Sequence, residues 1–218
     1  MPPIVSVVGK SKSGKTTIIE KLIRELRLRG YRVATIKHVS HAMDFDQPGK
    51  DSWRHFQAGS EVTAISSRDQ IVLIKAASPA VTLDEIARLF GEDYDIILTE
   101  GFKQGGAPKI EVHRREVGPP LSAVSKLMAI VTDEILQTKI RQFSPQDITG
   151  LVDLLERGFI KSKKEKLCLY INNAPVTLNT FPQKIMGSVL VAIVSCLKGV
   201  QEVRSLDISL RRQLTKTD

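Results

Sequence analysis

Ile4-Val5-Ser6-Val7-Val8-Gly9-Lys10-Ser11-Lys12-Ser13-Gly14-Lys15-Thr16 decides the fold of this 218-residue chain. Ile4 to Val8 is a short, valine-rich apolar run, the pattern of a strand buried on both faces. Gly9 to Thr16 matches G-x-x-x-x-G-K-[ST] at every fixed position. Beyond it, Ile18, Ile19, Leu22, Ile23 and Leu26 recur at helical spacing. Gly30 is placed to end that helix, with Arg27 and Arg29 in its last turn. Tyr31–Ile36 reads as a second strand. Strand, helix and strand in this order form a βαβ unit, so the expected fold is α/β with a mostly parallel sheet flanked by helices.

The glycines of such a loop let backbone N–H groups turn inward around phosphate oxygens, aided by the dipole of the following helix. Lys15 is expected to reach the outer phosphates, and the Thr16 hydroxyl to ligate Mg²⁺, an ion that prefers oxygen ligands. The candidate nucleotide-binding set is therefore Gly9, Lys10, Ser11, Lys12, Ser13, Gly14, Lys15 and Thr16, with the adjoining Thr17. Leu98-Thr99-Glu100-Gly101 closes another apolar run in the manner of a Walker B strand. A carboxylate at the carboxyl end of a parallel strand faces the ligand crevice, which makes Glu100 the second candidate for catalysis and for the metal. Polar groups also gather in Lys37-His38-Val39-Ser40-His41 and in Asp44, Asp46, Lys50 and Asp51. There Asp46 or Asp51 could serve Mg²⁺ or orient water. His38 and His41 are read as hydrogen-bonding or substrate-facing, with a transition-metal role as the alternative. Thr132 and Asp133 end the run Ala129–Val131, a position from which a carboxylate could read guanine, although no NKxD motif is present.

Composition adds exclusions. No apolar run approaches the ~20 residues needed to cross a bilayer. The start lacks the basic and cleavage regions of a signal peptide, so a cytoplasmic protein is expected. The cysteines, Cys168 and Cys196, have apolar neighbours and no ligand spacing, which predicts buried free thiols. The net charge of +8 is uneven: residues 161–218 hold ten Lys/Arg against four Asp/Glu, while residues 1–160 hold 22 against 20. The Lys161–Lys166 run reads as a solvated linker, and nucleic acid is not the expected partner.

Between these motifs, the spacing predicts a short helix over Asp51–Ala58 and a hairpin of Glu61–Ser66 and Gln70–Ile74. A capping box at Thr82–Glu85 should open a helix to Phe90. Strands are expected at Ile110–Val112 and Leu127–Val131, and a helix from Ser144-Pro145 to about Glu156. Two domains follow, 1–160 and 161–218. The second is expected to hold a hairpin (Leu167–Ile171 and Val176–Leu178), a helix over 181–197 with Thr180 and Gln183 as a capping box, and an edge strand at Ser205–Leu210.

The blocks Gly14-Lys15-Thr16-Thr17, Ile36-Lys37-His38, Asp46-Gln47-Pro48-Gly49-Lys50-Asp51-Ser52, Ala58-Gly59, Thr99-Glu100-Gly101-Phe102-Lys103, Pro108-Lys109-Ile110 and Ile130-Val131-Thr132-Asp133 occur in that order. Together they resemble the molybdopterin-guanine dinucleotide biosynthesis adaptor protein B (MobB) family, over roughly residues 3–159. The resemblance implies a GTP- and Mg²⁺-binding, weakly hydrolysing homodimer that assists attachment of GMP to molybdopterin. The transfer itself falls to a MobA-type guanylyltransferase partner. It also implies phosphate and Mg²⁺ binding by Lys15 and Thr16, metal support by Glu100, Asp46 near the γ-phosphate, and a dimer contact at Glu61–Ile74. Lys10 sits where related deviant Walker A ATPases carry a lysine that crosses the dimer interface.

Other classes share the loop. A metallochaperone GTPase of the nickel-insertion type would need a Cys/His site near the nucleotide, whereas both cysteines lie in the tail. A small-molecule kinase would use Lys37 or Lys50 to hold an acceptor. Arg54 and Arg68 are conceivable trans-acting arginines.

Overall fold

β1 (Ile4–Val8) runs through the middle of the main sheet, and Val5 to Val8 are all fully buried. The computed structural model describes residues 1–39, 45–78, 81–91, 93–161, 167, 169–171, 174–176, 178–203, 206, 208 and 210. After β1 come α1 (Lys15–Leu28), β2 (Val33–Lys37), α2 (Asp51–Gln57), β3 (Val62–Ser66), β4 (Ile71–Lys75) and α3 (Leu83–Arg88). β5 (Ile96–Glu100), β6 (Lys109–Val112), β7 (Leu127–Val131), β8 (Arg141–Phe143) and α4 (Ile148–Leu155) complete the first unit, with a π turn over Glu156–Ile160. Six strands pair in the order β2-β5-β1-β6-β7-β8, each pairing parallel. All six carboxyl ends therefore lie along one edge of the sheet, where a doubly wound fold places its ligand.

Burial follows the sequence period. Ile18, Ile19, Leu22 and Leu26 of α1 and Leu151, Val152 and Leu155 of α4 cover one face, against Val5, Val7, Leu98, Ile110, Val112, Ala129 and Val131. Each such Val, Leu or Ile side chain contributes roughly 1.5–3 kcal/mol on burial. A smaller cluster on Ala34, Ile36 and Ile97 is covered by α3 through Ala87, Leu83 and Ile86. α1 ends as its sequence indicates: Gly30 has φ 86°, its N–H reaches Arg27 O, and the Tyr31 N–H reaches Leu26 O. These are the two bonds of a Schellman motif. Arg29 pairs with Glu25 of its own helix (2.9 Å) and ties α1 to α4 and the following π turn through Asp153 (2.6 Å) and Glu156 (3.0 Å). The Tyr31 hydroxyl also donates to Glu156.

Two segments differ from the sequence expectation here. The helix begins at Ile148, not at Ser144-Pro145, because Asp147 caps it by accepting from the Gly150 N–H at 3.0 Å. Ser144 instead closes a separate turn, and its hydroxyl accepts from the Gln146 N–H. Residues 141–143 form the edge strand β8, too short to show a period of its own. The Thr82–Glu85 capping box forms with both reciprocal bonds, and opens α3. β3 and β4 pair as an antiparallel hairpin apart from the main sheet, turned by Ser67, whose hydroxyl accepts from the Asp69 and Gln70 N–H groups.

Residues 163–218 make a second compact unit. Its hairpin joins β9 (Leu169–Ile171) to β10 (Ala174–Val176), so Ala174 and Pro175, which fall between the two expected strands, belong to a strand. α5 (Thr180–Ser195) starts from Asn179 with no side-chain cap. The expected Thr180/Gln183 box is replaced by a bond from the Gln183 amide to Leu167 O at 3.4 Å. Leu206, Ile208 and Leu210, the described part of the expected Ser205–Leu210 strand, carry no strand assignment. Cys196 is exposed where a buried thiol was expected, because it caps the end of α5 on an uncovered side. Cys168 and residues 162–166 of the lysine-rich run lie outside the described residues.

Candidate functional site

The loop between β1 and α1 is shaped by two glycines. Gly9 has φ 153°, and a Cβ there would lie 2.4 Å from Val112 O and 2.6 Å from Ser13 Oγ. Gly14, the N-cap of α1, adopts φ 91° and ψ 20° in the left-handed region. Lys12 is also held at φ 62°, a conformation non-glycine residues adopt only where the surroundings enforce it. The start of α1 presents amides without intrahelical acceptors. Lys15 Nζ donates to Lys10 O at 2.7 Å, folding the side chain back over the loop. The Ser13 hydroxyl is 1% exposed and has no hydrogen-bond partner. Amides at the start of α1 that lack intrahelical acceptors, an ammonium and an orphaned hydroxyl suit a phosphate chain.

Glu100, at the end of β5, accepts from Thr16 Oγ1 at 3.1 and 3.2 Å. The pairing of β2 with β5 sets Lys37 beside Glu100. Burial holds the pKa of Lys15 below the usual lysine value. Glu100 opposes that shift, while Lys103 and Lys37 add to it. Three lysines around one carboxylate leave an excess of positive charge that an anion would relieve. Behind this cluster the chain turns tightly: Gly101 has φ 103°, and a Cβ there would lie 3.1 Å from His38 Cβ. Phe102, at φ 56°, sets its ring 4.8 Å from that of His38.

His38 is thus a packing partner of Phe102, and its N–H reaches Glu100 O at 2.9 Å. His41 and Asp44 lie outside the described residues. Among the described residues no three His, Cys, Asp or Glu side chains converge on a metal position. One Asp46 oxygen accepts from the Gln47 N–H and the Ser52 hydroxyl, and the other is buried without a partner. Asp46 makes no hydrogen bond or ion pair with Lys15, Thr16 or Glu100; its bonds are to the loop entering α2.

At the other end of the edge, Thr132–Ile135 after β7 and Gln142–Gln146 at and after β8 enclose an open cleft of about 470 Å³. Asp133 lines it, accepts from the Arg115 N–H at 3.1 Å, and pairs with Arg114 at 3.5 Å. The Arg115 N–H is the main cause of its lowered pKa, so the carboxylate stays ionised. Buried His113 bonds Glu134 at 2.8 Å and fixes the cleft wall. Lys109, fully buried, donates to Gly105 O, Ala107 O and Ser125 O and pins the loops at the opposite, amino end of β6. Arg114, His113 and the 142–146 wall escaped the sequence reading. The one available signal was positional, since Arg114 closely follows a parallel strand that neighbours β1.

Comparison with known proteins agrees with this architecture. The family model for molybdopterin guanine dinucleotide synthesis protein B (MobB) matches residues 4–133, more than half of the chain. The molybdopterin-guanine dinucleotide biosynthesis adapter protein of Haemophilus influenzae is 37% identical over 156 residues, covering 71% of this chain and 88% of its own. The crystal structure of Bacillus subtilis MobB superposes with a TM-score of 0.56 at 29% identity, covering 72% of this chain and 98% of its own. A Methanocaldococcus jannaschii relative is 23% identical over 232 residues and covers 95% of this chain, so its match extends into the second unit. By the family match and these relatives, the chain belongs to the MobB family.

Proposed function

We propose that the chain is an adapter in molybdenum cofactor biosynthesis that binds GTP with Mg²⁺ and assists conversion of molybdopterin to its guanine dinucleotide. The observation that carries this reading is the Thr16–Glu100 pair beside Lys15, at the mouth of the Gly9–Thr16 cradle. Backbone N–H groups of that loop, Lys15 and the buried Ser13 hydroxyl would hold the phosphates. Thr16 and Glu100 would hold the metal, with Asp46 a further ligand candidate from the loop before α2. Mg²⁺ bound there would bridge phosphate oxygens and offset their charge. Asp133, at the cleft beyond β7, is the candidate reader of the base.

In this reading a MobA-type guanylyltransferase acting on molybdopterin would be the partner that performs the nucleotidyl transfer, and the adapter names of the relatives support a partner of that pathway. The β3–β4 hairpin exposes Val62, Ile65, Ile71, Val72 and Leu73, a surface suited to a homodimer contact. No helix among the described residues is long and apolar enough to cross a membrane, and a cytoplasmic location fits the cofactor pathway.

GTP titration with Mg²⁺ and with EDTA tests the site. Wild type should bind more tightly with Mg²⁺, and Glu100→Gln should lose most of that gain. Turnover should stay below about 1 per second, at the floor of ordinary enzymes. Equal affinity with and without Mg²⁺ in the wild type would remove Thr16 and Glu100 from the metal assignment.

A further inference from the structure

Arg114 lies beyond β6, and its guanidinium reaches across to the start of α1. A Cβ built on Gly14 would sit 3.7 Å from one terminal nitrogen and 3.8 Å from Nε. Gly14 is the N-cap of a 14-residue helix, the end where the dipole disfavours a cation and favours an anion. The Asp133 carboxylate compensates only in part, since its nearest approach to the guanidinium is 3.5 Å and its other oxygen accepts from the Arg115 N–H. A second donor lies close by. Ser13 Oγ, buried and without a partner, lines a tight recess together with Lys10, Arg114 and the buried Glu111, whose Oε1 accepts from the Leu121 N–H while its Oε2 has no partner.

We propose that Arg114 is a phosphate ligand of the nucleotide site, closing the Gly9–Thr16 cradle from the β6 side. The guanidinium offers a planar fork of N–H donors, a match for two phosphate oxygens that no lysine of the loop can reproduce. Asp133 orients that fork while lining the cleft on its other side, so one ion pair joins the two ends of the crevice. The inference rests on the nucleotide reading above, and its test separates the two.

The test is titration of the full chain with GTP and with inorganic tripolyphosphate, which has phosphates but no base. Arg114→Ala should weaken both at least about ten-fold, the loss expected for one charge-assisted bond. Arg114→Lys should recover only part of this. Arg115→Ala removes the same charge from a side chain that is 83% exposed, and should leave both affinities as they are. Thermal melts of each variant check that the fold persists. Tripolyphosphate binding unchanged in Arg114→Ala, or an equal loss in Arg115→Ala, would overturn the assignment while leaving the nucleotide reading intact. A wild type that binds neither ligand would defeat both.

Discussion

Eight consecutive residues, Gly9 to Thr16, build the end of the crevice proposed to take phosphate, whereas the cleft at the far end draws on the ends of two strands and the turn before α4. At the first end the chemistry is local. Gly9 has no room for a Cβ, Gly14 supplies a left-handed N-cap, and Lys15 folds back onto Lys10 O within the same loop. At the second, Thr132–Ile135 meets Gln142–Gln146 only because β7 and β8 pair in parallel. The contrast separates what a motif can encode from what a fold must assemble. Phosphate recognition needs backbone N–H groups in one fixed turn, while base recognition needs side chains delivered from separate elements.

The largest effect should come from breaking the local end. Gly9→Ala sets a Cβ against Val112 O, a backbone atom that cannot swing away, at a φ that L side chains rarely adopt. A loss of roughly 2–4 kcal/mol in urea unfolding is expected, from overpacking plus backbone strain. A variant as stable as wild type would show the loop to be more yielding than its geometry implies.

Asp133→Asn probes the assembled end. If the carboxylate reads the base, the ratio of GTP to ATP affinity should fall about ten-fold or more, as when a site built around a hydrogen bond loses it. If Asp133 only orients Arg114, both affinities should shift together and the ratio should hold.

The smallest effect tests the support behind α1. Three groups hold Glu156 in its ionised form: the Tyr31 hydroxyl first, then Lys161 and Arg29. Its pKa falls from the usual 4.5 to about 2. A depressed carboxylate stabilises the fold fully above its unfolded pKa, and that contribution drains away as pH falls from 4.5 toward 2. The urea midpoint should therefore drop across this window, and Glu156→Gln should flatten that part of the profile. The contribution is modest, because solvent screens these groups.

The same contrast explains how much of the fold is legible in the sequence. β1, α1 and β2 were legible because buried strands and amphipathic helices impose periods on consecutive residues, and the Schellman close at Gly30 follows from one residue. Glu100 was legible by its place at a strand end. β8 was not, since three residues carry no period, and the start of α4 went to Asp147 because a capping carboxylate outweighed Ser144-Pro145. Arg114 was illegible for a different reason. Its proposed role rests on reaching Gly14, a hundred residues earlier in the chain, and the β1–β6 pairing creates that approach. The second unit shows the limit of composition: its charge excess and hairpin could be anticipated, but the strand membership of Ala174 and Pro175 depended on register.

Gly9–Thr16 is proposed to bind a guanine nucleotide. Calorimetric titration of wild type and Lys15→Ala with GTP and ATP, each with Mg²⁺, tests it most directly. Preference for GTP is expected in the wild type, and a loss of about 10- to 150-fold in the variant, equivalent to ~1.5–3 kcal/mol. Unchanged GTP affinity in Lys15→Ala, or preference for ATP in the wild type, would contradict it.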